Sequence, residues 1–164
     1  MKAAELLGMP VISIAGARKL GSVQDVVLNP AEQKVVAIRV KLAQEGIVRT
    51  VPASEITVGR DAITIPELKS GAEDESLGGK GAVDLGKLRG KKALSHDGNV
   101  LGSVDDVVID GSDMSIKGYE ISKGVLSGLF GGKSHLPSVK GFNYGRDILM
   151  VPDAAISQEH RRAA

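Results

Sequence analysis

Residues Leu20-Gly21-Ser22-Val23-Gln24-Asp25-Val26-Val27-Leu28-Asn29 return as Leu101-Gly102-Ser103-Val104-Asp105-Asp106-Val107-Val108-Ile109-Asp110, with seven of the ten positions identical at a constant offset of 81. A second echo pairs Val51-Pro52 and Gly59-Arg60-Asp61 with Leu136-Pro137 and Gly145-Arg146-Asp147. Duplication on this scale makes the chain two copies of one small unit. The boundaries that follow are residues 1–68 for the first copy, 69–84 for a linker, 85–157 for the second copy and 158–164 for a tail. A unit of about 70 residues buries a thin core. Pairing is therefore expected, either between the copies as an intramolecular pseudo-dimer or between chains as a homodimer.

Each copy reads as short strands separated by turn chemistry. Pro10 to Ile14 and Leu20 to Leu28 are strands, and Asn29-Pro30 ends the second. From Lys34 to Leu42 the pattern alternates, placing Val36, Ile38, Val40 and Leu42 on one face and Ala37, Arg39 and Lys41 on the other. Ile47 to Val51 is a fourth strand, Pro52 to Ile56 a helical turn and Ala62 to Ile65 the last strand. The second copy repeats this order. A tight turn stands at His96-Asp97-Gly98-Asn99, and Tyr119 and Ile121 take the inward places of Ile38 and Val40. Short strands with turns every 8 to 12 residues point to an all-β chain of two small closed barrels, because closure removes exposed sheet edges. Segment 69–80 is polar, glycine-containing and acidic in its middle, as in a flexible linker. The tail after Ile156 reads as a loose helical turn or a disordered end.

These elements resemble the PRC-barrel family, the small barrel of the photosynthetic reaction-centre H subunit and of the ribosome maturation factor's C-terminal domain. The resemblance rests on the turn glycine and the strand ending in Asp-Val-Val in both decads. It rests also on the apolar-Pro steps at Val51-Pro52 and Leu136-Pro137 and on the Gly-Arg-Asp turns at 59–61 and 145–147. Gly128-Leu129-Phe130-Gly131 makes the second copy similar to small bacterial stand-alone PRC-barrel proteins of the YlmC/YmxH type. The resemblance implies two tandem SH3-like antiparallel barrels serving as an interaction or scaffolding module, with no catalytic residues to carry over.

Candidate chemistry is sparse. The chain has no cysteine, which removes disulfides and thiolate ligands. His96, His135 and His160 have no metal-ligand spacing and no nucleophile motif, so each reads as a surface residue. Asp105, Asp106, Asp110 and Asp113 invite a calcium reading, but their spacing lacks the alternating ligands of a calcium loop. The recurrence of Asp25 at Asp106 suggests turn capping instead. The 21 glycines form no phosphate-binding loop. No catalytic, metal or cofactor site is expected, and the chain reads as non-enzymatic.

The net charge of +1 and the balance within each half argue against nucleic acid as a partner. Lys87, Arg89, Lys91 and Lys92 form a local basic patch in which alternation would put Lys87, Arg89 and Lys91 on one face, but aromatic stacking partners are missing. No apolar run reaches spanning length, and the N-terminus lacks the continuous apolar stretch of a signal peptide, so the expected compartment is the cytoplasm. The remaining feature is the loop Val125-Leu126-Ser127-Gly128-Leu129-Phe130, flanked by Gly124 and Gly131-Gly132. Val125, Leu126, Leu129 and Phe130 are the candidate protein-docking residues, because apolar side chains between glycines need a surface to lie on. The reading is a two-barrel adaptor that binds a protein partner. An RNA- or ribosome-associated factor and a peripheral membrane-complex subunit remain as alternatives.

Overall fold

The computed structural model describes residues 1–69, 77–123 and 132–163. The first copy contains β1 (Pro10–Ser13), β2 (Arg18–Asn29), β3 (Lys34–Leu42), β4 (Val48–Pro52), β5 (Thr57–Val58) and β6 (Ile63–Ile65). They hydrogen-bond in the order β4-β3-β2-β1-β6-β5, with β1 and β6 parallel. The two end strands are consecutive in sequence, joined by a 3-10 turn, η1′ (Ala53–Glu55), so the row curls back on itself into a barrel. After β7 (Val83–Asp84) and a helical turn, α1 (Leu85–Leu88), the second copy contains β8 (Lys92–Ser95), β9 (Val100–Ile109), β10 (Ile116–Ser122), β11 (Lys133–Pro137), β12 (Asn143–Tyr144) and β13 (Ile148–Val151). Its order, β11-β10-β9-β8-β13-β12, is that of the first copy strand for strand.

The long strands close the barrels by bending, and the bends are β-bulges at equivalent positions. Val23 faces Val40 and Asp25 faces Arg39, leaving Gln24 unpaired; Val104 faces Ile121 and Asp106 faces Glu120, leaving Asp105 unpaired. A second bulge leaves Val36 and Lys117 unopposed. Each extra residue kinks its strand and raises the local twist. Glycine is required where the strands meet: a Cβ on Gly21 would overlap the carbonyl of Lys41, and one on Gly102 that of Ser122. Val26, Ile38, Val107 and Tyr119 are fully buried inside the barrels, as the alternation requires.

The bulge at Val36 also corrects the face expected for β3. Beyond the bulge the alternation flips, so Val35 is buried and Val36 only half-buried. Ala37, expected on the outer face, is buried too, as is Val27 opposite it, beside which Gly78 of the connecting segment lies close enough that a Cβ there would sit 3.6 Å from Val27 Cγ1.

The segment 69–84, expected as a flexible linker, therefore ends as structure. Val83 and Asp84 pair with Leu28 and Val27 of the first barrel. Upstream, Asn29, fully buried, donates through Nδ2 to the carbonyls of Gly78 (2.8 Å) and Lys80 (3.4 Å) while its Oδ1 accepts the Glu32 N–H (3.2 Å). At the other end, α2 (Asp153–Ala163) replaces the expected loose turn. It starts after Pro152, is built from Ala, Gln, Glu and Arg, and buries Ala155.

The barrels are tied together reciprocally. The first ten residues begin with a 3-10 turn, η1 (Ala3–Leu6), which lies against β9 of the second barrel, while β7 and α1 lie against β2 of the first. Lys2 bridges to Val108 and Asp84 pairs with Val27. The Ala4 N–H donates to Asp106 Oδ1 at 3.2 Å, and the Gly86 N–H to Asp25 Oδ1 at 3.1 Å. Between the barrels the Val35 N–H reaches the Met114 carbonyl (2.7 Å) and the Ile116 N–H the Gln33 carbonyl (2.8 Å). Gln33 (φ 57°) and Met114 (φ 62°) both occupy the left-handed region, which aims those carbonyls across. When residue i meets j and the equivalent of j meets the equivalent of i, the contact has two-fold character. Here that relation holds within one chain. The buried apolar residues of both barrels accordingly form one contiguous cluster.

Candidate interaction site

The expected docking residues Val125, Leu126, Leu129 and Phe130 lie outside the described residues, but the roots of their loop do not. Ser122 pairs with Lys133, and the Lys123 N–H donates to the Gly132 carbonyl at 3.0 Å. The corresponding connection in the first barrel is a polar turn, Ala43-Gln44-Glu45-Gly46, closed by the Leu42 N–H on the Ile47 carbonyl at 2.9 Å. The barrels thus share a frame and differ in length and polarity at this connection. Beside its root, Lys133 Nζ lies 2.7 Å from Asp105 Oδ2, a contact that holds the Asp105 carboxyl below the usual carboxylate range.

The acidic residues are each engaged separately. Asp106 is buried, and its Oδ1 accepts the N–H of Val107 at 2.8 Å as well as that of Ala4. Asp25 does the same for Val26 (2.8 Å) and Gly86. The repeated aspartate therefore receives the first turn of the opposite copy, a capping role exercised between barrels. Asp110 accepts from the Ser112 N–H and hydroxyl, and Asp113 from those of Ser115; these serine hydroxyls are the main cause that lowers both carboxyls. Among the described residues no three His, Asp or Glu side chains gather as a metal site would require.

His96 is exposed in its hairpin turn, and His135 is exposed on β11 opposite Glu120. His160 falls in α2. The basic patch does not form one face by alternation, because Lys87 belongs to a helical turn; Arg89 follows it and bonds the Asp105 carbonyl at 2.9 Å. Lys87 instead lines a cleft of about 670 Å³ between the copies, together with Val27, Arg39, Asp84 and Arg146. There Arg39 holds Asp84 through two hydrogen bonds, Nε to Oδ2 at 3.0 Å and Nη2 to Oδ1 at 3.1 Å, and Nη1 bonds Thr50 Oγ1 at 2.9 Å. The cleft's principal guanidinium is thus committed to a contact between the copies.

Sequence reading missed the residues that join the barrels. A weak signal existed: Leu6-Leu7-Gly8 recurs as Leu88-Arg89-Gly90 at an offset of 82, one more than the strands. Gly8 N–H to Val23 carbonyl and Gly90 N–H to Val104 carbonyl, both 2.8 Å, confirm the equivalence. No helix among the described residues is long and apolar enough to cross a membrane.

A search of curated proteins finds no match. The family model for the PRC-barrel domain matches twice, over residues 1–71 and 80–156. The second match begins ahead of β7, so it takes in the segment that packs on the other barrel. With both matches lying on the two curled sheets, this chain belongs to the PRC-barrel family and carries the domain as a tandem repeat.

Proposed function

We propose that this chain is a non-enzymatic, cytoplasmic adaptor whose joined barrels present the loop Val125–Phe130 to a protein partner. The observation that carries this reading is the asymmetry between otherwise equivalent copies. The cores, bulges and reciprocal contacts are held in common, whereas one connection is a polar turn in the first barrel and an apolar, glycine-flanked segment in the second. A change confined to a surface connection alters what the barrel can bind without altering its fold. The residues on either side of this segment are held in the β10–β11 pair, Ser122 against Lys133, with the Lys123 N–H on the Gly132 carbonyl.

The test replaces Leu126, Leu129 and Phe130 with Ser and compares parent and variant by crosslinking in the native cell. A protein crosslinked to the parent and lost from the variant, with unchanged melting temperatures, supports docking through the loop. Equal crosslinking by both chains, or a loss that tracks unfolding, contradicts it. Recovery of RNA or of anionic lipid as the ligand released by the variant would replace the adaptor reading with the corresponding alternative.

A further inference from the structure

The two reciprocal contacts carry opposite charges in opposite order. On the first barrel Arg39 faces outward and holds Asp84 from the second copy's leading segment. On the second barrel the equivalent residue, 81 positions on, is Glu120, and it faces Lys2 from the first copy's leading segment, with Nζ 3.4 Å from Oε2. Lys2 and Asp84 are themselves equivalent, since they pair with Val108 and Val27. The first copy thus carries cations at both positions and the second carries anions at both.

We propose that this charge reversal is a pairing code, by which each barrel accepts the other copy's leading segment and rejects its own kind. If two first barrels met through the same surface, Lys2 of each would face Arg39 of the other. If two second barrels met, Asp84 would face Glu120, beside the buried Asp106. Only the mixed pairing satisfies both contacts. Specificity arises from a repulsive element against the wrong partner as much as from attraction to the right one. Without such an element, copies that share a frame also share a self-complementary surface, which in a tandem chain leads to chains joining barrel to barrel.

Local surroundings support assigning the code to these four residues. The Arg39–Asp84 contact is the stronger, with two hydrogen bonds and side chains only 25% and 19% exposed. Lys2 is 48% exposed and Glu120 18%, so the second contact is more screened by salt. Lys133 also acts on Glu120, but it lies in the same barrel and its contact is with Asp105, so it favours neither pairing. Glu5 and Lys87 are a further reversed pair at the offset of 82, but Glu5 Oε2 accepts the Lys2 N–H at 2.6 Å and is occupied within its own turn. Asp84 makes no side-chain capping bond to α1, so its charge can be changed without removing a cap.

The full-length chain tests this directly. Lys2→Glu with Asp84→Lys makes both native contacts repulsive and both like-with-like contacts attractive. Light scattering after size exclusion at low ionic strength should show a larger particle mass than the parent, with self-association tightened about tenfold, falling back as salt screens the contacts. Adding Arg39→Glu and Glu120→Arg inverts the whole code and should restore the parental mass and melting temperature. Should the double variant not fold, Asp84→Lys alone reverses the stronger contact and is read the same way. A reversed chain that keeps the parental mass overturns the proposal, whatever its melting temperature. So does a fourfold variant that remains associated.

Discussion

The Tyr119 hydroxyl is a polar group that the second barrel holds at a cost, and its removal should stabilise the protein. Tyr119 is fully buried, stacked on Phe142 with ring centroids 4.6 Å apart, and flanked across the strands by Val107 and Leu136. Its hydroxyl has no hydrogen-bond partner among the described residues. Ile38 holds the equivalent place in the first barrel, so the fold itself needs no polar atom there. A buried hydroxyl without a partner costs about 1–3 kcal/mol, whereas one with a partner contributes about 1 kcal/mol. Tyr119→Phe keeps the ring and its stacking, and should therefore gain about 1 kcal/mol, or about 2–4 °C in melting temperature for a chain of this size. A second consequence is alkaline. Burial raises the Tyr119 phenol well above its usual value, so the folded state keeps it protonated after the unfolded chain has ionised. Stability from this residue is complete below about pH 10 and declines as pH rises above it. Thermal scans of parent and variant at pH 7 and near pH 10.5 measure both effects, with a larger advantage for the variant at the higher pH. A variant that melts below the parent at pH 7 would show that the hydroxyl has a partner and would refute the reasoning.

Truncating Val26 or Val107 to Ala should each cost about 1–3 kcal/mol, because both are fully buried at equivalent positions; urea midpoints measure this, and an unchanged midpoint for either contradicts equivalence. Acid should weaken the fold in a defined way. Asp97, Asp105, Asp110 and Asp113 are all lowered, chiefly by hydrogen bonds from Ser95, Lys133, Ser112 and Ser115 respectively. Their stabilisation is present above the ordinary carboxylate range near pH 4 and is lost as pH falls from there through their lowered folded-state values. Melting temperature should therefore drop below about pH 4, and less steeply in a Ser112→Ala/Ser115→Ala chain.

The parts of this structure legible in sequence are those whose signal is local. Identical decads gave equivalent strands, and alternation from Ile38 to Leu42 placed an inward face correctly because register has a period of two. The reading failed at Val36, where one bulged residue inverts that period, and at Ala37, which is buried although placed on the outer face. The aspartates show the same division. Their recurrence suggested capping, but what they cap begins 61 residues away from Asp25 and 102 from Asp106. The end of the expected linker was not legible as structure for a related reason: Gly78 to Asp84 looks like loop composition, and its contacts come from Asn29 and β2 rather than from its own propensities. The docking loop is legible only as composition.

The central claim is that reciprocal contacts make two barrels one cooperative body. The chain's four aromatic residues, Tyr119, Phe130, Phe142 and Tyr144, all belong to the second copy, and there is no tryptophan, so tyrosine fluorescence reports the second barrel while far-ultraviolet circular dichroism reports both. Urea unfolding of Val26→Ala, a change buried in the first barrel, should then move the tyrosine transition of the second barrel together with the dichroism transition, as a single cooperative step. A tyrosine midpoint that stays at the parental value while the dichroism separates into two steps would show that the barrels unfold independently and would contradict the account.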